Sequence, residues 1–339
     1  DLLYQAIDVF RGIFPDEEIG QIGDGIINYQ NITVATMQTL ALLGNVEVGR
    51  NKYDEDSDIS EIKMEMDKQR YKEFNEYRST VQCVMMDEVQ IVCSRTAYGV
   101  RFLFEYANYA FGYSASPWRD DGSDLMIEAA FGERIDDISA SELIRSGHLV
   151  RPHIIIKKPN YQVTDANGNY NTIYKRYIVE NIPRNLQIAN DAMEYYNKGM
   201  NTLILVTQIK HGEILQDAMS ALGMPVKFIS GKSGMKKRKQ AIEDMRNGKI
   251  QLLIASTIAD VGLDIPRLQC IVEAGAGKSS VTALQRLGRI MRKFENKDVC
   301  YFITYRDSAP FIYQHIDRKI DIWKTEPEFI ITETYGRDE

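Results

Sequence analysis

Short apolar runs alternate with amphipathic segments along most of the chain. Residues 81–86 and 202–207 form apolar runs of the kind found in strands that are buried on both faces of a parallel sheet. Residues 1–10 instead carry apolar side chains at the spacing of an amphipathic helix. Because strand and helix alternate over both halves, the pattern predicts an α/β protein with two parallel-sheet domains in tandem.

The first half of this pattern predicts a series of elements: a helix at 1–10, strands at 18–22 and 31–35 around a turn at 23–25, a charged, mostly helical and solvated segment at 54–77, a buried strand at 81–86, a helix near 99–107, a strand ending at Tyr113 and a short helix at 141–147. We place the domain boundary near Arg151, which gives domains 1–151 and 152–339.

The second half repeats the alternation. It predicts strands at 153–157, 202–207, 226–229, 251–255, 270–273 and 299–304, helices at 186–198, 211–222, 236–247 and 281–293, a polar stretch at 160–171 and a closing helix after Ser308.

Composition narrows the function classes. The 339 residues are 44% hydrophobic and 26% charged, which is typical of a globular protein with two ordinary domains. A net charge of -7 provides no global basic field, so any nucleic acid must bind in a local groove. The four cysteines are too scattered for a metal site and are expected to be reduced core residues. No apolar run approaches the length of a membrane span, so we expect a cytoplasmic protein with no membrane partner.

Two adjacent carboxylates, Asp87 and Glu88, follow the apolar run at 81–86. Open α/β sheets bind ligands at the carboxyl ends of their strands. There, one carboxylate can hold Mg²⁺ on nucleotide phosphates, and the other can orient or deprotonate an attacking water. The alternative is a polar strand end that closes on a turn.

The segment 283–293 places Gln285, Arg289 and Arg292 at i, i+4 and i+7, on one face of a predicted helix. Arginine offers a planar fork of donors that suits phosphoryl oxygens, and an arginine that reaches a γ-phosphate is a recurring part of nucleotide hydrolysis. The alternative is a solvated basic face near a helix end.

Two loops add small polar side chains. Ser114 and Ser116 lie in a tight turn before Pro117, where they either relay motion between sites or serve only the turn. After the strand at 251–255, the loop contains Thr257, Gly262 and Asp264. It either contacts a ribose or a nucleic-acid backbone, or it is an ordinary connection between a strand and a helix.

Taken in order, these motifs resemble those of superfamily 2 helicases. The motifs are T-V-A-T-M-Q-T-L at 33–40, D-E-V-Q at 87–90, S-A-S-P at 114–117, the strand at 203–207, S-T-I-A-D-V-G-L-D-I-P at 256–266 and Q-R-L-G-R-I-M-R at 285–292. The stretches 112–121, 131–132 and 143–152 are similar to those of XPB-like repair helicases and phage recombination helicases, including the T4 and T5 types.

The resemblance implies two RecA-like domains that use ATP and Mg²⁺. It implies that Asp87 is the Mg²⁺ ligand and Glu88 the catalytic base, that Gln90, in place of the usual His, links the site to the second domain, and that Ser114 and Ser116 are coupling residues. The implied nucleic-acid contacts are Thr36, Gln38 and Thr257. At the nucleotide, the resemblance implies Gly262, Asp264 and Gln285, with Arg289 and Arg292 as γ-phosphate ligands.

One motif of the family is missing from this sequence. The phosphate-binding loop G-x-x-x-x-G-K-[ST] is expected upstream of Asp1, so the chain as given is expected not to hydrolyse ATP. Gly275–Ser279 is not a substitute, because the first glycine of a true loop would fall at Val272, inside a strand. We interpret it as a flexible connection into the arginine helix.

The resemblance therefore predicts a monomeric ATP-dependent DNA helicase or translocase that remodels branched DNA in replication, recombination or repair. A phage origin would place it in the cytoplasm of a bacterial host. Two alternatives remain open: the motor subunit of a restriction system, and a scaffold that binds nucleic acid without hydrolysis. RNA also stays open as the substrate, since backbone contacts do not distinguish it from DNA.

Overall fold

The computed structural model describes residues 2–46, 68–115, 122–256, 265–277 and 280–334. The chain divides into two compact units, Asp1–Asp137 and Ile138–Glu339. This division precedes the predicted boundary at Arg151. The backbone N–H groups of Ala140 and Ser141 donate to the Glu326 carboxylate at 3.1 and 2.8 Å, so the short helix that they begin belongs to the second unit.

The first unit contains two separate small sheets. Its described elements are α1 (Leu2–Ile13), β1 (Ile19–Gly23), β2 (Ile26–Asn28), β3 (Ile32–Ala35), α2 (Met37–Leu43), α3 (Lys68–Thr80), β4 (Cys83–Met86), a 3₁₀ turn (Val89–Cys93), α4 (Arg95–Phe102), β5 (Tyr109–Gly112) and α5 (Leu125–Phe131). Strands β2, β1 and β3 form one sheet in that order, and β4 and β5 form a second, parallel pair.

The strand β2 was not predicted. It pairs antiparallel with β1 through a two-residue turn at Asp24 and Gly25, which have φ angles of 53° and 78°. Positive φ at both central residues is the geometry of tight hairpin turns, and Asp-Gly is a favoured sequence for it. The predicted turn is thus confirmed, although the strand that it starts is too short to stand out in the sequence.

Two burial predictions for the first unit are wrong. The strand β4 pairs only with β5 in the described part of the unit, and Cys83 and Met85 are exposed on its uncovered face, so neither β4 nor Cys83 is buried in a core. The predicted solvated segment includes α3, yet Phe74 of that helix is fully buried. It packs in a cluster with Ile22 and Phe104, so one aromatic side chain anchors an otherwise polar helix.

The second unit is built on a seven-stranded parallel sheet with strand order β12-β6-β11-β10-β7-β9-β8. Its strands are β6 (Arg151–Lys157), β7 (Asn201–Val206), β8 (Lys227–Ile229), β9 (Leu252–Ser256), β10 (Leu268–Glu273), β11 (Val299–Tyr305) and β12 (Ile330–Thr334). Its helices in the described ranges are α6 (Ala140–Arg145), α7 (Tyr170–Tyr174), α8 (Ile182–Asn197), α9 (Ile209–Ala221), α10 (Met235–Arg246), α11 (Ser280–Ile290) and α12 (His315–Trp323), and a π-helical turn (Lys175–Val179) follows α7.

Helices cover both faces of this sheet. Along β7, Leu203 and Leu205 point into one hydrophobic core with α10, α11 and α12, whereas Ile204 and Val206 point into the other with α8 and α9. Alternate residues of a strand face opposite sides of the sheet, so burial on both sides requires the continuous apolar runs seen in the sequence. The predicted α/β class is confirmed for this unit.

Two elements of the second unit were missed. The closing helix after Ser308 is confirmed as α12, but the chain continues into β12, which extends the sheet beside β6. The predicted polar stretch at 160–171 leads into α7 and its π-helical turn, where Ile173, Tyr177 and Ile178 are buried. Within the described residues, every helix is too short or too polar to span a bilayer.

His211 of α9 supplies a pH-dependent test of this fold. Its Nε2 donates to Asn185 Oδ1 at 2.9 Å, and the Asn185 amide is oriented by a 2.8 Å bond to the Val179 carbonyl. No group in the described ranges bonds to the buried Nδ1 atom. Burial, aided by the charge of Arg184, lowers the pKa of His211 to about 3. The imidazole is therefore neutral in the folded protein.

We expect this histidine to make the protein sensitive to acid. Below pH 6.5 the unfolded chain binds a proton at His211 that the folded protein does not, so stability falls as pH drops. The loss from this group is about 2 to 3 kcal/mol between pH 6.5 and 4.5. Urea unfolding at several pH values measures it against His211→Gln, which keeps a donor but does not titrate. Equal slopes in the two proteins would contradict the assignment.

Candidate functional site

Asp87 and Glu88 lie where β4 leaves its sheet. The backbone N–H of Tyr113 donates to the Met86 carbonyl at 2.9 Å, and the N–H of Val89 donates to the Tyr113 carbonyl at 2.9 Å. These bonds tie the ends of β4 and β5 together on either side of the two carboxylates. Asp87 is exposed and Glu88 is half-buried. The first unit therefore presents both carboxylates at the carboxyl edge of its parallel pair, as the sequence predicts.

Glu88 has a left-handed backbone, with φ 52° and ψ 50°. This conformation is unfavourable for a side chain other than glycine and is concentrated at functional sites. The N–H of Glu88 donates to Asp87 Oδ1 at 2.9 Å, and the 3₁₀ turn starts at the next residue. The turn thus directs the two adjacent carboxylates away from the strand in a fixed arrangement.

A chain of hydrogen bonds joins Glu88 to the S-A-S-P segment. Ser114 Oγ donates to Gln90 Oε1 at 2.6 Å, and Gln90 Nε2 donates to Glu88 Oε2 at 2.6 Å. The amide of Gln90 therefore uses its acceptor on one side and its donor on the other. The sequence predicts that Gln90 links the nucleotide site to the second domain, and this stays a prediction. Ser116 lies outside the described residues.

The residues predicted to touch nucleic acid are only partly described. Thr36 begins α2, and its Oγ1 accepts from the Thr39 N–H at 3.4 Å and donates to Thr39 Oγ1 at 2.9 Å. Its hydroxyl therefore has a capping role. Gln38 is exposed on the first turn of the same helix. The three remaining loop residues, Thr257, Gly262 and Asp264, lie outside the described ranges.

In the second unit, the loop Ala274–Gly277 joins β10 to the residues before α11. The N–H groups of Ala274 and Gly275 both donate to the Leu205 carbonyl, at 2.9 and 3.1 Å. A Cβ on Gly275 would lie 2.9 to 3.0 Å from Thr207 atoms, including its backbone nitrogen, so glycine is needed at this position. The sequence favours a flexible connection here, whereas the described part of the loop is held by close backbone contacts.

Two side chains also hold the carbonyls of this loop. Arg184 Nη1 donates to the Ala274 carbonyl at 2.8 Å, and His315 Nδ1 donates to the Ala276 carbonyl at 2.9 Å. Arg184 is itself paired with Asp307 through bonds of 2.8 and 2.9 Å, with both side chains 1% exposed. Burial of such a pair is tolerated because its hydrogen bonds are satisfied.

The helix α11 carries Gln285 and Arg289, both partly exposed, but the prediction that Arg292 shares their helical face is wrong. The helix ends at Ile290, and Arg292 forms an isolated antiparallel bridge with Leu149. The physical reason is long-range pairing. The Met291 carbonyl accepts from the Val150 N–H at 2.8 Å, so the backbone leaves the helix to meet the segment before β6.

A buried ion cluster beneath α11 was not predicted. The carboxylate of Glu273, 2% exposed, accepts from Arg286 Nη1 at 2.7 Å, Lys319 Nζ at 2.6 Å and Thr304 Oγ1 at 2.9 Å. Burial raises the pKa of Glu273, but the two cations outweigh this effect and hold the pKa below its ordinary value. One signal was available in the sequence: Lys319 interrupts the apolar stripe of Ile316, Ile320 and Trp323.

The Asp87 carboxylate fits the ligand requirements of Mg²⁺. This ion is usually held by one or two carboxylates together with phosphate oxygens and water, rather than by a complete protein cage. Asp87 is exposed at the strand end beside Glu88, so an ion there can reach both protein and nucleotide oxygens. Across the described ranges, no three His, Cys, Asp or Glu residues form a group that could hold a metal without such help.

Comparison with known proteins identifies a helicase domain in the second half of the chain. The model of the helicase conserved C-terminal domain matches residues 185–294, which include Gln285, Arg289 and Arg292. The chain is 28% identical over 239 residues to helicase 22 of Sulfolobus islandicus filamentous virus, covering 66% of this chain and 42% of that protein. It is 24% identical over 243 residues to the ATP-dependent DNA helicase UvsW of Enterobacteria phage T4, covering 70% and 48%. Residues 185–294 therefore match a helicase C-terminal domain, and the chain is similar to superfamily 2 helicases.

The solved structures agree at the level of the fold. A fragment of the HsdR subunit of a type I restriction enzyme from Vibrio vulnificus matches with a TM-score of 0.65 and 19% identity, covering 97% of this chain and 56% of that one. The two domains are therefore RecA-like, as the sequence predicts. The matched part of the chain spans less than half the length of these two curated relatives.

The backbone of Glu88 allows a direct test of the candidate site. Both Glu88→Ala and Glu88→Gly remove the carboxylate, but only glycine adopts φ 52° without strain. We expect the glycine variant to be more stable than the alanine variant by about 1 kcal/mol, the reverse of their usual order. Urea unfolding followed by circular dichroism measures the difference. An alanine variant at least as stable as the glycine variant would show that Glu88 is not held in this conformation.

Proposed function

We propose that this chain is the motor portion of an ATP-dependent DNA helicase or translocase that remodels branched DNA. The observation that carries the proposal is the hydrogen-bond chain from Ser114 through Gln90 to Glu88, because it connects a proposed catalytic base to a proposed coupling segment. A polar strand end without a function would not need this connection. The match of residues 185–294 to the helicase conserved C-terminal domain supports the same proposal.

In the proposed mechanism, Asp87 would hold Mg²⁺, and the ion would supply positive charge that stabilises the charge developing during phosphoryl transfer. Glu88 orients the attacking water and accepts its proton. The carboxylate of Glu88 is held by the hydrogen bond that it accepts from Gln90 Nε2. Gln90 shares one hydrogen bond with Glu88, so a change in the position of Glu88 is passed to Ser114, and Ser116 completes this coupling segment.

Arginine side chains would supply positive charge that stabilises the transition state. Arg289 on α11 and Arg292 beyond its end are the proposed γ-phosphate ligands, with Gln285 beside them on the helix. Two positive charges from separate segments can reach different oxygens of one phosphoryl group. Gly262 and Asp264 are proposed to respond to the bound nucleotide.

DNA is proposed to bind through local contacts, since the net charge is -7. Gln38, exposed at the start of α2, and the proposed contacts Thr36 and Thr257 would reach the sugar–phosphate backbone. The preference for DNA rests on the likeness to a relative named as an ATP-dependent DNA helicase. The preference for branched DNA rests on the motifs shared with XPB-like and phage recombination helicases.

The motor subunit of a restriction system is the second candidate, and the likeness to an HsdR fragment favours it. The two candidates differ in the DNA that stimulates ATP hydrolysis. A restriction motor moves along linear duplex, whereas a branch-remodelling helicase needs a junction.

We expect four-way and forked DNA to stimulate ATP hydrolysis by the full-length protein about tenfold more than linear duplex of equal length. The physical reason is that a junction presents a branch point that the motor can move, whereas a linear duplex of the same length has none. Steady-state hydrolysis with matched DNA concentrations measures the ratio. Equal stimulation by linear duplex would favour the restriction motor, and no hydrolysis with any DNA or RNA would favour the scaffold that binds without turnover.

We expect Arg289→Ala and Arg292→Ala in the full-length protein each to lower kcat for ATP by about 10³-fold, because arginines at a γ-phosphate contribute on that scale. DNA binding should change little. The matched control is Arg318→Ala, which removes an exposed arginine from α12. Unchanged turnover in both variants would remove these arginines from the site.

A further inference from the structure

We infer that Glu273 and Lys319 are positioning residues for Arg289: through Arg286, they fix the orientation of α11 and hence the place of the proposed γ-phosphate ligand. This inference rests on the proposed function, and it assigns a role to a residue of α12 that lies outside every motif discussed above. Neither Glu273 nor Lys319 would touch the nucleotide.

The first step is the link between Glu273 and α11. Glu273 is the last residue of β10 and pairs with Leu205 of β7, while the preceding residue, Val272, pairs on the other side with Ile303 of β11. Its Oε1 accepts from Arg286 at 2.7 Å, and Arg286 precedes Arg289 by three residues, less than one turn of the helix. A rotation of α11 that moved Arg289 would have to break this buried ion pair.

The second step is the link between Glu273 and α12. The other carboxylate oxygen, Oε2, accepts from Lys319 Nζ at 2.6 Å and from Thr304 Oγ1 of β11 at 2.9 Å. The carboxylate is therefore held by donors from three elements. With all three in place, a change in the rotamer of Glu273 would break at least one of these hydrogen bonds.

The third step concerns α12 as a whole. Its buried face packs into the same core as α11, with Trp323 edge-on to Phe302 at a ring separation of 5.7 Å. Its first residue, His315, bonds to the Ala276 carbonyl in the loop before α11, and one turn later Lys319 reaches Glu273. One helix thus holds both the entry to α11 and the carboxylate beneath it.

The contacts that hold α11 in one orientation have a consequence for catalysis. A group that stabilises a transition state acts only if it is already placed where charge develops, and a misplacement of about 1 Å can cost about a hundredfold in rate. The guanidinium group of a long arginine side chain is held in position only when the helix that carries it cannot rotate. Loss of Lys319 should therefore lower kcat without weakening the binding of ATP.

The experiment uses the full-length protein with Lys319→Met. We expect a decrease of tenfold or more in kcat, with KM for ATP and the affinity for DNA within about twofold of wild type, because the lost interaction acts only in the transition state. Lys319→Arg, which restores a cation, should recover most of kcat. Lys319→Gln is measured in parallel as a neutral variant that can still donate to Glu273. Arg318→Met, the adjacent exposed residue, is the matched control.

The deciding measurement repeats Lys319→Met in an Arg289→Ala background. If Lys319 acts through Arg289, it has nothing left to position, and the second substitution lowers kcat little further. An equal fold-loss in both backgrounds, or no loss from Lys319→Met and Lys319→Gln alone, overturns the inference and leaves the proposed function standing. If Arg289→Ala itself leaves kcat unchanged, the proposed role of Arg289 fails, and the inference fails with it.

Discussion

Burial of the central strands on both faces is the constraint on which the second unit depends. Strands such as β7 and β9 have no solvent-facing side, so apolar residues fill most of their positions, and the polar residues Asn201, Thr202 and Ser256 lie towards their ends. Polar chemistry is thereby confined to the strand ends. Because the strands are parallel, their carboxyl ends meet at one edge, and Glu273 and the loop Ala274–Gly277 lie there. The fold alone therefore places polar groups at this edge of the sheet, and the individual side chains determine their exact arrangement.

The buried charges of this unit follow from the same constraint. A buried ion pair gains little stability over apolar side chains of the same size, because removing the ions from water costs nearly as much as their attraction returns. Two such sets nevertheless flank one loop: Arg184 with Asp307, and Glu273 with Arg286 and Lys319. An ion pair instead fixes the relative orientation of its side chains, since its hydrogen bonds are satisfied in one geometry. Their position therefore fits a role in fixing the course of the chain into α11.

The sequence predicts most of this architecture because its signals are local. Apolar runs identify the central strands, and the Asp24-Gly25 turn is recognisable from two residues. The errors concern contacts between distant segments. The end of α11 is set by pairing of Met291 with Val150, which no helical pattern contains. The burial of Phe74 and Lys319 likewise depends on packing partners that are far away in the chain. From the sequence alone, an aromatic residue in a polar helix and a lysine in an apolar stripe could each be either buried or exposed.

In the candidate site, too, the sequence predicts the residue types, and the structure provides their arrangement. The D-E-V-Q and S-A-S-P motifs predict which residues matter, but the order Ser114 to Gln90 to Glu88 emerges only from the structure. The glutamine has a physical consequence here. A histidine at position 90 would lose its acceptor nitrogen on protonation, whereas an amide does not titrate and keeps one donor and one acceptor at every pH. Gln90 therefore accepts from Ser114 and donates to Glu88 at every pH, whereas a protonated imidazole at this position could only donate.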